Sequence, residues 1–286
     1  MAAASRTDGW IHFPRRAHRG ATEWLAYAGA TGSAAILLGM LVLFGIASLP
    51  IFEHTGTEYL TSGEWFYRAE RFGSLAMIYG TVVVSCTALL LAAPVSIGAA
   101  IFLAEIVPAR ARMALKLTVE MLAAVPSVVY GLLGVLLLRE YVYQALTALG
   151  LDPLSGDTLL TASILLAVMI LPTAITLADD ALRATPRPLR LAGRALGLTR
   201  AEVILSVTLP HARAGLAAAI LLAFGRALGE TIAVFLVVGR QDNQLPESWL
   251  PFRTIVEAGQ TLTSKLGGPE VNIAGTSGSR VGDRDS

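Results

Sequence analysis

The sequence predicts an all-α integral membrane protein that crosses the bilayer five times, and three observations carry that reading. Of its 286 residues, 54% are hydrophobic and only 15% charged, well below the roughly 25% charged residues of soluble domains. Five apolar runs reach the roughly 20 residues a helix needs to cross the hydrocarbon. Basic residues concentrate in alternate connectors, as expected when a multi-pass chain is held in one orientation.

In chain order, the segment 1–24 carries Arg6, Arg15, Arg16 and Arg19. Arg15-Arg16 reads as an orientation signal rather than a twin-arginine export signal. The first run, 25–50, exceeds the roughly 7 to 15 apolar residues of a removable signal, so it is expected to stay in the membrane. The connector 51–72 sets Glu53, Glu58, Glu64 and Glu70 against Arg68 and Arg71. In the second run, 73–104, the only cysteine, Cys86, excludes an intrachain disulfide and reads as a small buried core residue. The connector 106–117 has Arg110, Arg112 and Lys116 and no acid. The third run, 118–138, contains Pro126-Ser127-Val128-Val129-Tyr130-Gly131, a packing kink or a hinge beside a pathway. Pro94 and Pro172 also lie inside runs, and each removes an amide donor that a neighbour or water must offset.

The connector 139–157, with Arg139 against Glu140, Asp152 and Asp157, is not basic. The fourth run, 158–178, is followed by a long connector, 179–213, with six arginines against three acids. The positive-inside rule places the amino terminus, 106–117 and 179–213 in the cytoplasm. Glu105 and Glu120 fall near span ends, where solvated interfacial charge is the expected reading, and Asp179-Asp180 reads as a helix end.

The fifth run, 214–239, contains Arg226 and Glu230, one helical turn apart in Gly225-Arg226-Ala227-Leu228-Gly229-Glu230-Thr231. A charge near mid-bilayer costs about 2.5 to 3.5 kcal/mol, so the two need partners, a wet cavity or a task. Arg226 stays protonated and presents a planar set of donors suited to oxyanions. Glu230 is expected to pair with Arg226 when no anion is present and to accept a hydrogen bond from a protonated anion when one is. The alternative is a buried bridge that only fixes packing. Gly225 and Gly229 predict close approach of another helix, which makes this span central and turns the charged residues away from lipid.

Composition also excludes functions. A formal net charge of +1 lacks the basic surface of a nucleic-acid binder. There is no Gly-x-x-x-x-Gly-Lys-Ser/Thr loop to hold ATP phosphates. His211 has no clustered ligands, so neither a metal nor a cofactor is expected, and the chain does not read as an enzyme.

Within 179–213, Leu189, Leu191, Ala192, Ala195, Leu196 and Leu198 alternate with arginines, and a second stretch runs from Ala201 to Pro210. The pattern predicts two short helices broken at Gly197 and stopped by Pro210. Such an element lies on a membrane or docks in a partner's groove. Leu191-Ala192-Gly193, Gly197 and Val207-Thr208-Leu209-Pro210 resemble the coupling signature of binding-protein-dependent ABC importers, with Leu191 in place of Glu, Gly193 in place of Ala and Val207 in place of Ile. Glu120 to Gly131, Gly225 to Val234, Val237-Val238-Gly239 and Gly259-Gln260-Thr261-Leu262-Thr263-Ser264 resemble phosphate importer permeases of the PstC type. That resemblance spans residues 25–273.

The resemblance implies a type I ABC importer permease fold spanning 25–240, with a coupling loop at about 183–213. It implies as partners a homologous permease of the PstA type, an ATP-binding subunit dimer and a periplasmic or extracellular phosphate-binding protein. Phosphate is the implied substrate, with the bacterial inner membrane as the site and Arg226, Glu230, Thr231, Ser127 and Tyr130 as the residues lining its path. Leu191, Ala192, Gly193, Gly197, Val207, Leu209 and Pro210 are the implied contacts to the ATPase. The family has a sixth span, whereas residues 241–286 contain no comparable apolar run and end in a polar, disorder-prone tail. A truncated, non-functional permease and a proton-coupled anion carrier are the alternatives, together with a non-transporting membrane scaffold.

Overall fold

A computed structural model describes residues 20–63, 65–66, 71–151, 153, 155–239 and 255–267. The arginines of the amino-terminal segment, most of the stretch expected to lack a sixth span and the polar tail lie outside these residues.

The first unit is a single helix, α1, Ala21–Thr55. At 1.5 Å per residue it is about 52 Å long, more than the hydrocarbon core requires. It is apolar on every side, as a helix in lipid must be, and Gly56 ends it with φ +61.

The second unit opens with α2, Glu58–Thr61, and a short antiparallel pair, β1 Trp65–Phe66 with β2 Arg71–Phe72. The long helix α3, Leu75–Ile101, continues into a π-helical turn, Phe102–Ile106. Next come α4, Ala109–Ala123, α5, Ser127–Leu133, a second π-turn, Gly134–Leu138, and α6, Arg139–Ala148. The chain continues through α7, Leu159–Arg183, and α8, Arg187–Ala195. After α9, Arg200–Val203, comes a third π-turn, Ile204–Thr208. The last elements are α10, Leu209–Leu228, α11, Ile232–Val237, and α12, Leu262–Leu266.

The central helix is α7, and α10, expected at the centre, lies beside it. Thr158 caps α7 by accepting the Thr161 amide at 3.1 Å, and Leu166 and Ile170 are essentially inaccessible. The core joins Val84, Ala88 and Ala92 of α3 to α7, Ala223 and Ala227 of α10, and Ala233, Val234 and Val237 of α11. The α3 and α10 contributions are nearly all alanine, because helices in lipid gain no hydrophobic drive and associate by close contact. Pro172 stays inside α7, where the Thr176 hydroxyl donates to its carbonyl at 3.0 Å.

Several expectations need correcting. The run 118–138 is not one crossing helix: the pair Arg110–Ala123 and Ser127–Ala148 bends by 83°, because Pro126 cannot supply the amide that would continue the first helix. The run 214–239 is also interrupted. Helix continues without a stop at Pro210 from Arg200 to Leu228 and then breaks at residues 229–231. Pro210 is accommodated directly after a π-turn, in which the Leu209 amide bonds to Ile204 O. Cys86 is exposed on the outer face of α3, since apolar character marks a lipid-facing side as readily as a core. A Cβ on Gly225 would meet nothing within 4 Å, and one on Gly229 only its own chain. The close approach instead occurs at Gly215, where a Cβ would come within 2.7 Å of Ala181 Cβ.

Candidate functional site

Two clusters of polar residues stand out, and the first surrounds the break between α10 and α11. Leu228 closes α10, and Glu230 lies outside the helix, so the i,i+4 geometry that would pair it with Arg226 does not exist. No ion pair joins the two among the described residues. Arg226 Nη1 instead donates to Thr173 Oγ1 of α7 at 2.8 Å, beside Pro172. Arg226 is exposed on this chain. Glu230 Oε1 accepts the Ala233 amide at 3.4 Å, and Glu230 O accepts the Thr263 hydroxyl at 2.9 Å.

The second discontinuity, at Pro126, packs beside the first. Helix α5 starts at Ser127 directly after Pro126, and Tyr130 folds back to donate to Leu122 O at 2.9 Å. Gly131 is buried against α11, where a Cβ would lie 2.7 Å from Leu236 Cδ1 and 3.0 Å from Ala233 Cα. The structure therefore brings the helix bearing Ser127 and Tyr130 onto the helix that follows Glu230 and Thr231. The far segments of the resemblance also meet: Gly239 bridges Gly259, and the Gly259 amide donates to Val238 O at 3.1 Å. Thr81 accepts the Leu262 amide at 3.0 Å, and Gly80 is obligatory because a Cβ would sit 2.1 Å from Gln260 O.

The loop between α7 and α10 forms the other cluster. Gly197, at φ +83, turns the chain so that the Leu198 amide bonds to Gly193 O at 3.2 Å. Gly193 is buried, and a Cβ there would lie 3.2 Å from Val203 Cγ2 and 3.5 Å from Val207 Cγ2. Thr199 and Glu202 form a capping box that starts α9. Leu209 packs on the lower core beside Leu182 and Ala212. Leu191 and Leu196 project outward, 61% and 83% exposed, and Ala192 and Pro210 are also exposed.

The sequence reading missed the charges that hold this loop. Glu105 is buried rather than solvated, with Arg190 Nη1 of α8 at 2.7 Å from its Oε1. Arg190 Nη2 also donates to Leu182 O at 2.7 Å. Asp179, read as a helix end, is fully buried within α7, with Lys116 Nζ at 3.7 Å and Arg183 Nη1 at 3.8 Å. Lys116 also donates to Asp180 Oδ1 at 2.6 Å. One signal was available: Asp179 falls among Ile175, Ala178 and Leu182 at core spacing. Glu105 and Arg190 are 85 residues apart, and no local pattern joins them.

A multi-pass helical bundle with paired helix breaks, an exposed arginine beside them and an outward-facing loop helix defines a membrane transport permease. The chain belongs to the family described as "Binding-protein-dependent transport system inner membrane component", whose model matches residues 96–248, more than half of it. It is 36% identical over 250 residues to a phosphate transport system permease protein PstC of Mesorhizobium japonicum, covering 80% of this chain and 76% of that one. The PstC of Haemophilus influenzae is 32% identical over 248 residues, covering 82% and 78%. A probable ABC transporter permease protein, YqgH of Bacillus subtilis, is 35% identical over 235 residues, covering 80% and 74%. The importer-permease resemblance is thereby confirmed, and the chain is a multi-pass membrane subunit.

Proposed function

We propose that this permease carries inorganic phosphate in an ATP-driven importer. It would form the translocation path with a homologous PstA-type permease, above an ATP-binding subunit dimer and below an external phosphate-binding protein. The observation that carries the reading is Arg226, held by Thr173 at the edge of a helix break and exposed on the face of this chain. A membrane helix pays to hold a cation there only if something anionic or polar meets it. The names of the relatives support phosphate as that anion.

In this reading Arg226 donates to phosphate oxygens, with its guanidinium pre-aimed by Thr173. The hydroxyls of Ser127, Tyr130 and Thr231 supply neutral contacts around the two breaks. Glu230 accepts a hydrogen bond from a protonated phosphate and, as a nearby carboxylate, keeps the anion from binding too tightly to leave. Below, the amino terminus and the α8 loop face the cytoplasm. Leu191 and Leu196 then enter a groove of the ATPase, while Gly193, Gly197 and Val207 hold the loop hairpin rigid and Ala192, Leu209 and Pro210 link it to α10. The test is reconstitution: an ATP-binding subunit should copurify with the chain, and phosphate delivered by its binding protein should stimulate ATP hydrolysis in liposomes. Hydrolysis that phosphate leaves unchanged would refute the reading.

A further inference from the structure

We infer that Glu105 and Arg190 are a positioning pair that carries movement of α8 into α3, a second transmission line beside the covalent one through α10. The inference rests on the importer reading above. Arg190 directly precedes the Leu191-Ala192-Gly193 motif, and its guanidinium holds two helices at once, Glu105 on the π-turn of α3 and Leu182 O at the end of α7. The π-turn itself is stiffened. Arg112 donates to Leu103 O and Ala104 O at 2.7 Å each and to Val107 O at 3.2 Å. A displacement of α8 therefore meets a braced turn at the end of α3.

That helix leads to the central break. At the opposite end of α3, Gly80 lies against Gln260 and Thr81 binds the Leu262 amide. From there the Thr263 hydroxyl donates to Glu230 O. The contacts run without a gap from α8 through α3 to Glu230, a route of packed side chains and hydrogen bonds of the kind that couples distant sites. The covalent route arrives from the other side, through α10 and Arg226. Two routes arriving on the two sides of one break would move Arg226 and Glu230 relative to each other.

Glu105→Gln, Arg190→Gln and the reversal Glu105→Arg with Arg190→Glu should be compared in reconstituted complexes of equal subunit content. The measurement is phosphate transported per ATP hydrolysed. Each single change is expected to lower that ratio about tenfold while hydrolysis continues, a typical size for coupling between sites. The reversal is expected to regain part of the loss. An unchanged ratio in the assembled single variants would overturn the inference. So would failure of both single variants to assemble, which would make the pair a folding element only. An unsubstituted complex whose hydrolysis ignores phosphate would instead sink the importer reading, and this role with it.

Discussion

Arg226 in the last turn of α10 and Arg190 within α8 are both arginines, yet their surroundings differ. Arg226 has a single side-chain hydrogen bond among the described residues, to a threonine hydroxyl, and no carboxylate within ion-pair distance. Arg190 is bound to a buried carboxylate and a backbone carbonyl, each at 2.7 Å, and the neighbouring Arg112 caps three more carbonyls. Arg226 therefore leaves most of its donors unused within this chain, whereas Arg190 ties a buried carboxylate to a backbone carbonyl although its buried Nε has no hydrogen-bond partner. The difference cannot arise from residue type, so it reflects what each position is built to contact.

The sharpest way to break this comparison is Arg226→Gln. If Arg226 is an open anion station, its loss removes charge-assisted hydrogen bonds of about 1.5 to 3 kcal/mol, and phosphate uptake falls roughly 10- to 100-fold. Copurification with the partner subunits should remain normal, because the bond to Thr173 is the one side-chain hydrogen bond of Arg226 among the described residues. A variant that no longer assembles would instead make Arg226 as structural as Arg190.

Next in size is Gly131→Val, which addresses the contact between the two breaks. The added methyl groups would collide with Ala233 and Leu236, and overpacking of this kind costs about 1 to 3 kcal/mol. The expected result is a lowered melting temperature of the purified complex and uptake reduced about tenfold, since α5 and α11 would part beside Glu230. Normal uptake in this variant would mean that the contact plays no part in the path.

How much of this was legible in sequence follows from which signals are local. The apolar runs, the loop hairpin around Gly197 and the odd charge of Arg226 could each be read within a few residues. The pairing partners could not. Gly225 and Gly229 carry the small-residue spacing of a close helix contact, but the contact is made by Gly215 and by alanines one face away. Hydropathy averages over a window, so it merged α10 with α11 and hid the break that frees Glu230. It also gave Cys86 to the core, because lipid-facing and core-facing residues are equally apolar. Glu105 and Arg190 meet only through tertiary folding, and Pro210 was misjudged because a π-turn leaves no periodicity of its own in the sequence.

The smallest expected effect belongs to Thr199→Ala. Removing the hydroxyl deletes the cap of α9, including the bond from the Glu202 amide to Thr199 Oγ1, a loss of about 0.5 to 2 kcal/mol borne locally. Helix α9 joins the exposed Leu191 and Leu196 face to α10, so fraying there softens the covalent line while the Glu105–Arg190 line stays intact. Amide hydrogen exchange at 199–209 should therefore quicken clearly, while phosphate transported per ATP drops only slightly. Thr199→Ser, which keeps the acceptor, should restore slow exchange. If Thr199→Ala instead lowered the ratio as much as Glu105→Gln, the covalent connection would carry most of the coupling, and the paired charges at the α8 end would be no more than an anchor.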